Sequence, residues 1–259
     1  NSSKWRPLHS IDVPYFHKVH LTKGFFSGGY TGSSYVAAAD RTTYSTETTA
    51  AVTGANLSQA RRYLAAAGNA EKGFFSGGYT GSVVATADRT TYSTETTAAV
   101  TGANLSQARQ GLAAAGNAEK GFFSGGYTSS AIATADRTTY STETTAAVTG
   151  ANLSQARRRL AAAGNAEKGF FSGGYTTSNQ VTADRTTYST ETTAAVTGAN
   201  LSQARRYLAA AGNAEKGFFS GGYTGSVVAT ADRTTYSTET TAAVTGANLS
   251  QARRYLAAA

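Results

Sequence analysis

Gly73-Phe74-Phe75-Ser76-Gly77-Gly78 is a six-residue string that also begins at Gly24, Gly121, Gly169 and Gly217. An internal period of about 40 to 50 residues is the length of one four-stranded antiparallel blade of a β-propeller. Working outward, the stretch from Ala39 to Arg61 recurs unchanged in every unit, at residues 87–109, 135–157, 183–205 and 231–253. In the second unit four strands are expected: Leu64–Ala67, Gly73–Gly78, Ala87–Ser93 and Thr97–Thr101. Gly and Asn at the reversals, and Thr, Tyr, Val and Phe within the strands, match the chemistry of turns and pleated surfaces. Ala65-Ala66-Ala67 suits the innermost strand, where blades converge, and Phe74, Phe75, Tyr92 and Val100 suit the packing between blades. The fold expected is all-β, a five-bladed propeller of four-stranded antiparallel blades over residues 24–259, preceded by an arm or linker at residues 1–23. A competing reading makes Leu105–Ala115 a helix, because Ser-Gln-Ala-Arg-Gln-Gly-Leu-Ala-Ala-Ala contains good helix formers.

Composition narrows the chemistry. The 259 residues include 28 Gly and 2 Pro but neither Cys nor Met, so disulfides and Cys-ligated metals are excluded. No apolar run reaches the roughly 18 residues that a membrane-spanning helix needs, and membrane insertion is not expected. The start at Asn1 without Met reads as trimmed or processed. The net charge of +8 is dispersed through the repeats rather than gathered in one run, which argues against nucleic acid as a partner.

The order of these motifs resembles kelch repeats: Ala-Ala-Ala-Gly-Asn, an aromatic strand ending Gly-Gly-Tyr, then a Tyr followed by Glu-Thr. The double glycines (Gly28-Gly29, Gly77-Gly78, Gly125-Gly126, Gly173-Gly174, Gly221-Gly222) and the tyrosines Tyr44, Tyr92, Tyr140, Tyr188 and Tyr236 carry the likeness. Ala-Ala-Val stands where the usual kelch Trp would follow. Asp88-Arg89, Tyr92-Ser93, Leu105-Ser106, Ala108-Arg109 and Leu112 to Asn117 are similar to repeats of tail-fibre and other virion proteins of marine and cyanobacterial phages. That resemblance implies a kelch-like propeller at an extracellular or virion surface, with a recognition or structural role.

Catalysis is not expected. All three histidines, His9, His17 and His20, precede the repeats, so no hydrolytic triad can be assembled in each unit, and His17 with His20 lacks further metal ligands. Ser27 and its equivalents have no Gly-x-Ser-x-Gly elbow, and the glycine-rich segments have no phosphate-loop lysine. The recurring acids Asp40/Glu47, Asp88/Glu95, Asp136/Glu143, Asp184/Glu191 and Asp232/Glu239 read as charge pairs or turn caps, with Asp beside Arg in each unit. Neither cofactor nor metal is expected. Asn56, Asn104, Asn152, Asn200 and Asn248 lie in Asn-Leu-Ser, an N-glycosylation signal only on a eukaryotic secretory route.

The units differ from one another in two places, after Gly-Gly-Tyr-Thr and after the constant Arg. In an antiparallel blade both connections emerge on one rim. Tyr35, Arg62, Tyr63, Arg158, Arg159, Asn179, Gln180, Arg206, Tyr207, Arg254 and Tyr255 are therefore the candidate ligand-binding residues. The partner expected is a glycan or cell-surface receptor, and the alternative is neighbouring structural subunits. Finally, the array begins at the second strand of blade one and ends with Leu256–Ala259, which resembles an inner strand. Pairing of Leu256–Ala259 beside Gly24–Gly29 is the preferred closure of the ring, with Phe16–Thr22 as the competitor.

Overall fold

The computed structural model describes residues 22–257. It is an all-β, five-bladed propeller. The first blade contains β1 (Lys23–Tyr30), β2 (Tyr35–Thr43) and β3 (Thr48–Ala51). The second contains β4 (Ala65–Gly68), β5 (Lys72–Ser76), β6 (Ala87–Thr91) and β7 (Thr96–Ala99), and the third β8 (Ala113–Gly116), β9 (Lys120–Ser124), β10 (Ala135–Thr139) and β11 (Thr144–Ala147). The fourth repeats the pattern with β12 (Ala161–Gly164), β13 (Lys168–Ser172), β14 (Ala183–Thr187) and β15 (Thr192–Ala195). The fifth has β16 (Ala209–Gly212), β17 (Lys216–Ser220), β18 (Ala231–Thr235) and β19 (Thr240–Ala243). Each blade is an antiparallel meander in sequence order, four-stranded except for the first. A single 3₁₀ turn follows each outer strand, as at Thr101–Ala103. The Leu105–Ala115 stretch is no helix: it passes through turns and a bridge into β8, burying Leu105, Arg109 and Leu112 as it goes.

The core lies between blades. Phe74, Leu105, Leu112, Phe123 and Tyr140 form one buried cluster drawn from the second and third blades. Two aromatic side chains per blade divide the work, because successive residues of a strand face opposite ways. Phe74 stacks on Tyr140 of the following blade at 5.5 Å and 7°, and Phe25 on Tyr92, Phe122 on Tyr188 and Phe170 on Tyr236 repeat the arrangement. Phe123, Phe171 and Phe219 instead face the blade before.

Ion pairs stitch the same seams. Glu143 accepts from Lys72 Nζ at 2.9 Å and from Arg89 Nη1 at 2.9 Å; Glu95, Glu191 and Glu239 do the same for their preceding blades. For Glu143 partial burial pushes the carboxyl up, but the hydrogen bonds from Lys72 and Arg89 outweigh it and hold the group below the ordinary glutamate value. A carboxylate depressed in the folded state adds stability above its unfolded pKa, about 4.3, and loses it as pH falls through the lower folded value. The melting temperature is thus expected to hold from pH 7 to about 5 and to drop below about 4. A variant with Gln at positions 95, 143, 191 and 239 should melt lower at neutral pH and lose much of that acid dependence; an undiminished acid drop would refute the assignment.

Four such interfaces form; the fifth does not. Among the described residues, Lys216 and Arg233 of blade five make no ion pair with Glu47 of blade one. Phe26 and Tyr44 are exposed, whereas Phe123 and Tyr140, which hold their places in the third blade, are buried. Among the described residues the ring is therefore open between its ends. The preferred closure also fails for the residues that can be followed: β1 pairs with β2 alone, and Leu256 and Ala257 form no strand. Leu256 keeps the place of its counterparts, packing toward Gly221 of the preceding blade as Leu112 packs toward Gly77 and Leu160 toward Gly125, but no described strand follows it. The pairing of Phe16–Thr22, apart from Thr22 itself, falls outside the described residues, as do Ala258 and Ala259.

Candidate functional site

The segment joining one blade to the next carries a constant arginine, a variable pair and then the inner strand. Arg61, Arg109, Arg157 and Arg205 are fully buried and pair with Asp88, Asp136, Asp184 and Asp232 at 2.5–2.9 Å. The aspartate thus reaches across to the arginine that precedes its own inner strand, and not to its sequence neighbour. Adjacent residues of a strand point to opposite faces, so Asp88 goes inward while Arg89 reaches Glu143 of the next blade. This corrects the expectation of an Asp–Arg pair between neighbours. Burial pushes each of these guanidinium groups below its ordinary value, and the facing Asp opposes that.

Past that anchor the chain turns left-handed. Tyr63, Gly111, Arg159, Tyr207 and Tyr255 all have φ between 59° and 65°. The turn aims each N–H at the previous blade: Gly111 donates to the Tyr63 carbonyl at 2.8 Å, Arg159 to Gly111 at 2.6 Å, Tyr207 to Arg159 at 3.0 Å and Tyr255 to Tyr207 at 3.1 Å. The result is a collar of main chain around the axis. Hydrogen bonds of this kind offset the roughly 1–2 kcal/mol that a left-handed non-glycine residue costs.

Side chains of the collar surround an axial cavity of about 760 Å³, whose lining includes Arg62, Tyr63, Gly111, Arg159, Tyr207 and Tyr255. Tyr207 lies 4.0 Å from Tyr255, and Tyr63 lies 6.2 Å from it, ring centre to ring centre. Around this centre the arginine that opens four of the five variable pairs stacks on tyrosines; Gln110 stands in its place in the remaining pair. Arg62 lies over Tyr30, Tyr35, Tyr63 and Tyr79, and Arg206 over Tyr175, Tyr207 and Tyr223. Arg158 covers Tyr127 at 4.0 Å, Arg254 covers Tyr223 and Tyr255, and Arg159 covers Tyr207 at 4.5 Å. Such cation–π contacts contribute about 0.5–1 kcal/mol each where exposed.

The candidate residues are therefore brought together on one rim, but not all equally. Arg62, Tyr63, Arg159, Tyr207 and Tyr255 line the cavity itself. Tyr35 and Asn179 sit one shell out, Tyr35 against Arg62 at 5.1 Å and Asn179 accepting from Arg206 at 3.2 Å. Gln180 turns back on its own loop, donating to Thr176 and Ser178, and faces no other candidate. Tyr30, Tyr79, Tyr127, Tyr175 and Tyr223 were not among the expected site residues because every unit has them; the signal was their place directly after the double glycine. The sequon asparagines serve the main chain: Asn104 Oδ1 accepts from the Ala87 N–H at 2.9 Å, and the equivalents do likewise. Among the described residues no three His, Asp or Glu side chains gather in a metal-binding group, and no helix is long and apolar enough to cross a membrane.

No family model matches the chain, and no curated protein matches it. The kelch and phage-fibre likenesses rest on the repeat motifs alone.

Proposed function

We propose that this propeller is a non-enzymatic recognition module that binds glycans or a host envelope through its arginine–tyrosine rim, at an extracellular or virion surface. One observation carries the reading. Positions that vary among otherwise identical repeats converge on one axial face, where aromatic rings and cations surround a cavity, while the arginines that hold the scaffold together are constant. A fixed frame presenting variable contacts is how binding surfaces are built. A cavity of this size, lined largely by apolar and aromatic residues with tyrosines and the two cations Arg62 and Arg159 among them, suits a small ligand with both apolar and polar faces.

The test is a glycan array. Binding by the intact protein that is lost when Tyr63, Tyr207 and Tyr255 are changed together to alanine supports recognition at this rim. A protein that binds no glycan and no cell surface favours the second reading, an architectural spacer or decoration subunit, to which the two unpartnered blade faces at the open seam also point.

A further inference from the structure

We infer that the axial cavity takes one anionic sugar residue, its carboxylate or sulfate held by Arg159 in the space that Gly111 leaves at the collar. This rests on the recognition reading and names the class of ligand.

The collar is regular in backbone and irregular in side chains: Tyr63, Gly111, Arg159, Tyr207, Tyr255. Gly111 is not there for the sake of the turn. Tyrosine occupies the same left-handed conformation at three equivalent positions and arginine at a fourth. Nor is the glycine demanded by crowding, since a Cβ on Gly111 would meet nothing closer than the Arg159 nitrogen at 3.6 Å, an ordinary contact. What its missing side chain does is open the wall of the cavity beside Arg159.

Arg159 is the matching irregularity. Among the described residues no carboxylate lies within ion-pair distance of it, because the buried aspartates are taken by Arg61, Arg109, Arg157 and Arg205, and four of the glutamates by the lysines and arginines of the blade seams. Its guanidinium is pushed below the ordinary value first by burial and then by the like charges of Arg158 and Arg206, with Tyr207 and Tyr255 opposing. Tyr207 supplies no real counter-charge: burial drives its phenol well up, so it stays neutral. A half-buried cation crowded by two others and facing a cavity is stabilised by an anion, and the planar guanidinium fork fits carboxylate or sulfate oxygens in pairs.

The experiment is isothermal titration with three tetrasaccharides: a uronic-acid oligomer, a sulfated oligomer, and the uronic-acid oligomer with its carboxyls reduced to alcohols. The expected result is that the uronic-acid oligomer, the sulfated oligomer or both bind at least tenfold tighter than the reduced form, with affinity falling as salt rises. Arg159→Gln should bring the anionic-to-neutral affinity ratio to about one, and Gly111→Tyr should block binding of all three. Arg159→Tyr places at this position a residue that the collar already carries in the same conformation, so an unchanged melting temperature is expected there; Gly111→Tyr adds a left-handed side chain, which costs stability, so a lower but still cooperative melt is its folding check. Neutral and anionic oligomers binding equally, or an Arg159→Gln protein that keeps the preference, overturns the inference while leaving glycan recognition standing. Absence of binding to all three oligomers overturns the inference, while the glycan array decides the recognition reading.

Discussion

Asp136→Ala is expected to lower stability by about 3–5 kcal/mol, the range for leaving one member of a buried ion pair without its partner. Asp136 and Arg109 are both fully buried and meet at 2.9 Å. The carboxylate also accepts from the Ser106 N–H at 3.1 Å, while Arg109 donates to the Phe123 carbonyl at 2.8 Å, so the pair ties the inter-blade connection to two strands. Without Asp136 a guanidinium already pushed down by burial would stand in the interior with no opposing charge. Since a domain of this kind is held by only about 5–15 kcal/mol, the loss should be plain in a guanidinium-chloride titration. Asp40→Ala makes the internal control. The local sequence is identical, yet Asp40 is exposed, and Arg253, which holds the corresponding place after the fifth repeat, is exposed too. A change within about 0.5 kcal/mol is expected there. Equal losses at the two sites would mean that the ring closes in solution.

Much of this fold can be read from the repeat alone, because a period with four strand-like segments and three reversals leaves few alternatives. Strand ends are another matter. The aromatic strand reads as Gly73–Gly78 but stops at Ser76, since Gly77 and Gly78 adopt φ of 71° and 114° and leave the ladder. Leu105–Ala115 has the residues of a helix, but a helix there would withdraw Leu105, Arg109 and Leu112 from the seam that they fill together. The buried arginines were hidden by proximity. Asp88-Arg89 looks like a pair in sequence, and only the alternation of a strand says that the two must part. The open seam was only half legible: the array starts at the second strand of blade one, but the unchanged stretch shared by all five units otherwise promises five like interfaces. As for the site, variation between repeats pointed to the rim, but nothing in one sequence says that Tyr63, Gly111, Arg159, Tyr207 and Tyr255 form one collar. That follows from their shared left-handed turn, which tyrosine and arginine do not advertise.

The glycines offer the second large effect, and it bears on the same seam. Gly125 has φ of 70°, and a Cβ placed on it would lie 2.6 Å from the Arg157 carbonyl oxygen and 2.9 Å from Leu153 Cδ1. The oxygen belongs to the backbone of the next inter-blade connection, and it is already committed to the Gly126 N–H at 3.0 Å. It cannot retreat without opening the interface. Gly125→Ala therefore combines about 1–2 kcal/mol for a left-handed alanine with about 1–3 kcal/mol of overpacking, a loss near 3 kcal/mol in chemical denaturation. Gly246→Ala is expected to do almost nothing. A Cβ placed on Gly54, Gly102, Gly150 or Gly198, in the same Thr-Gly-Ala-Asn turn, would lie 3.1–3.2 Å from the carbonyl oxygen of a glutamate in the next blade, whereas one on Gly246 would meet open space. It lies on the face of blade five that no blade covers. Were blade one to close against that face, Gly246 would meet the Glu47 carbonyl as its four counterparts meet theirs. Alanine at 246 would then cost what it costs at Gly198, so a Gly246→Ala loss matching that of Gly198→Ala would show that the seam is shut.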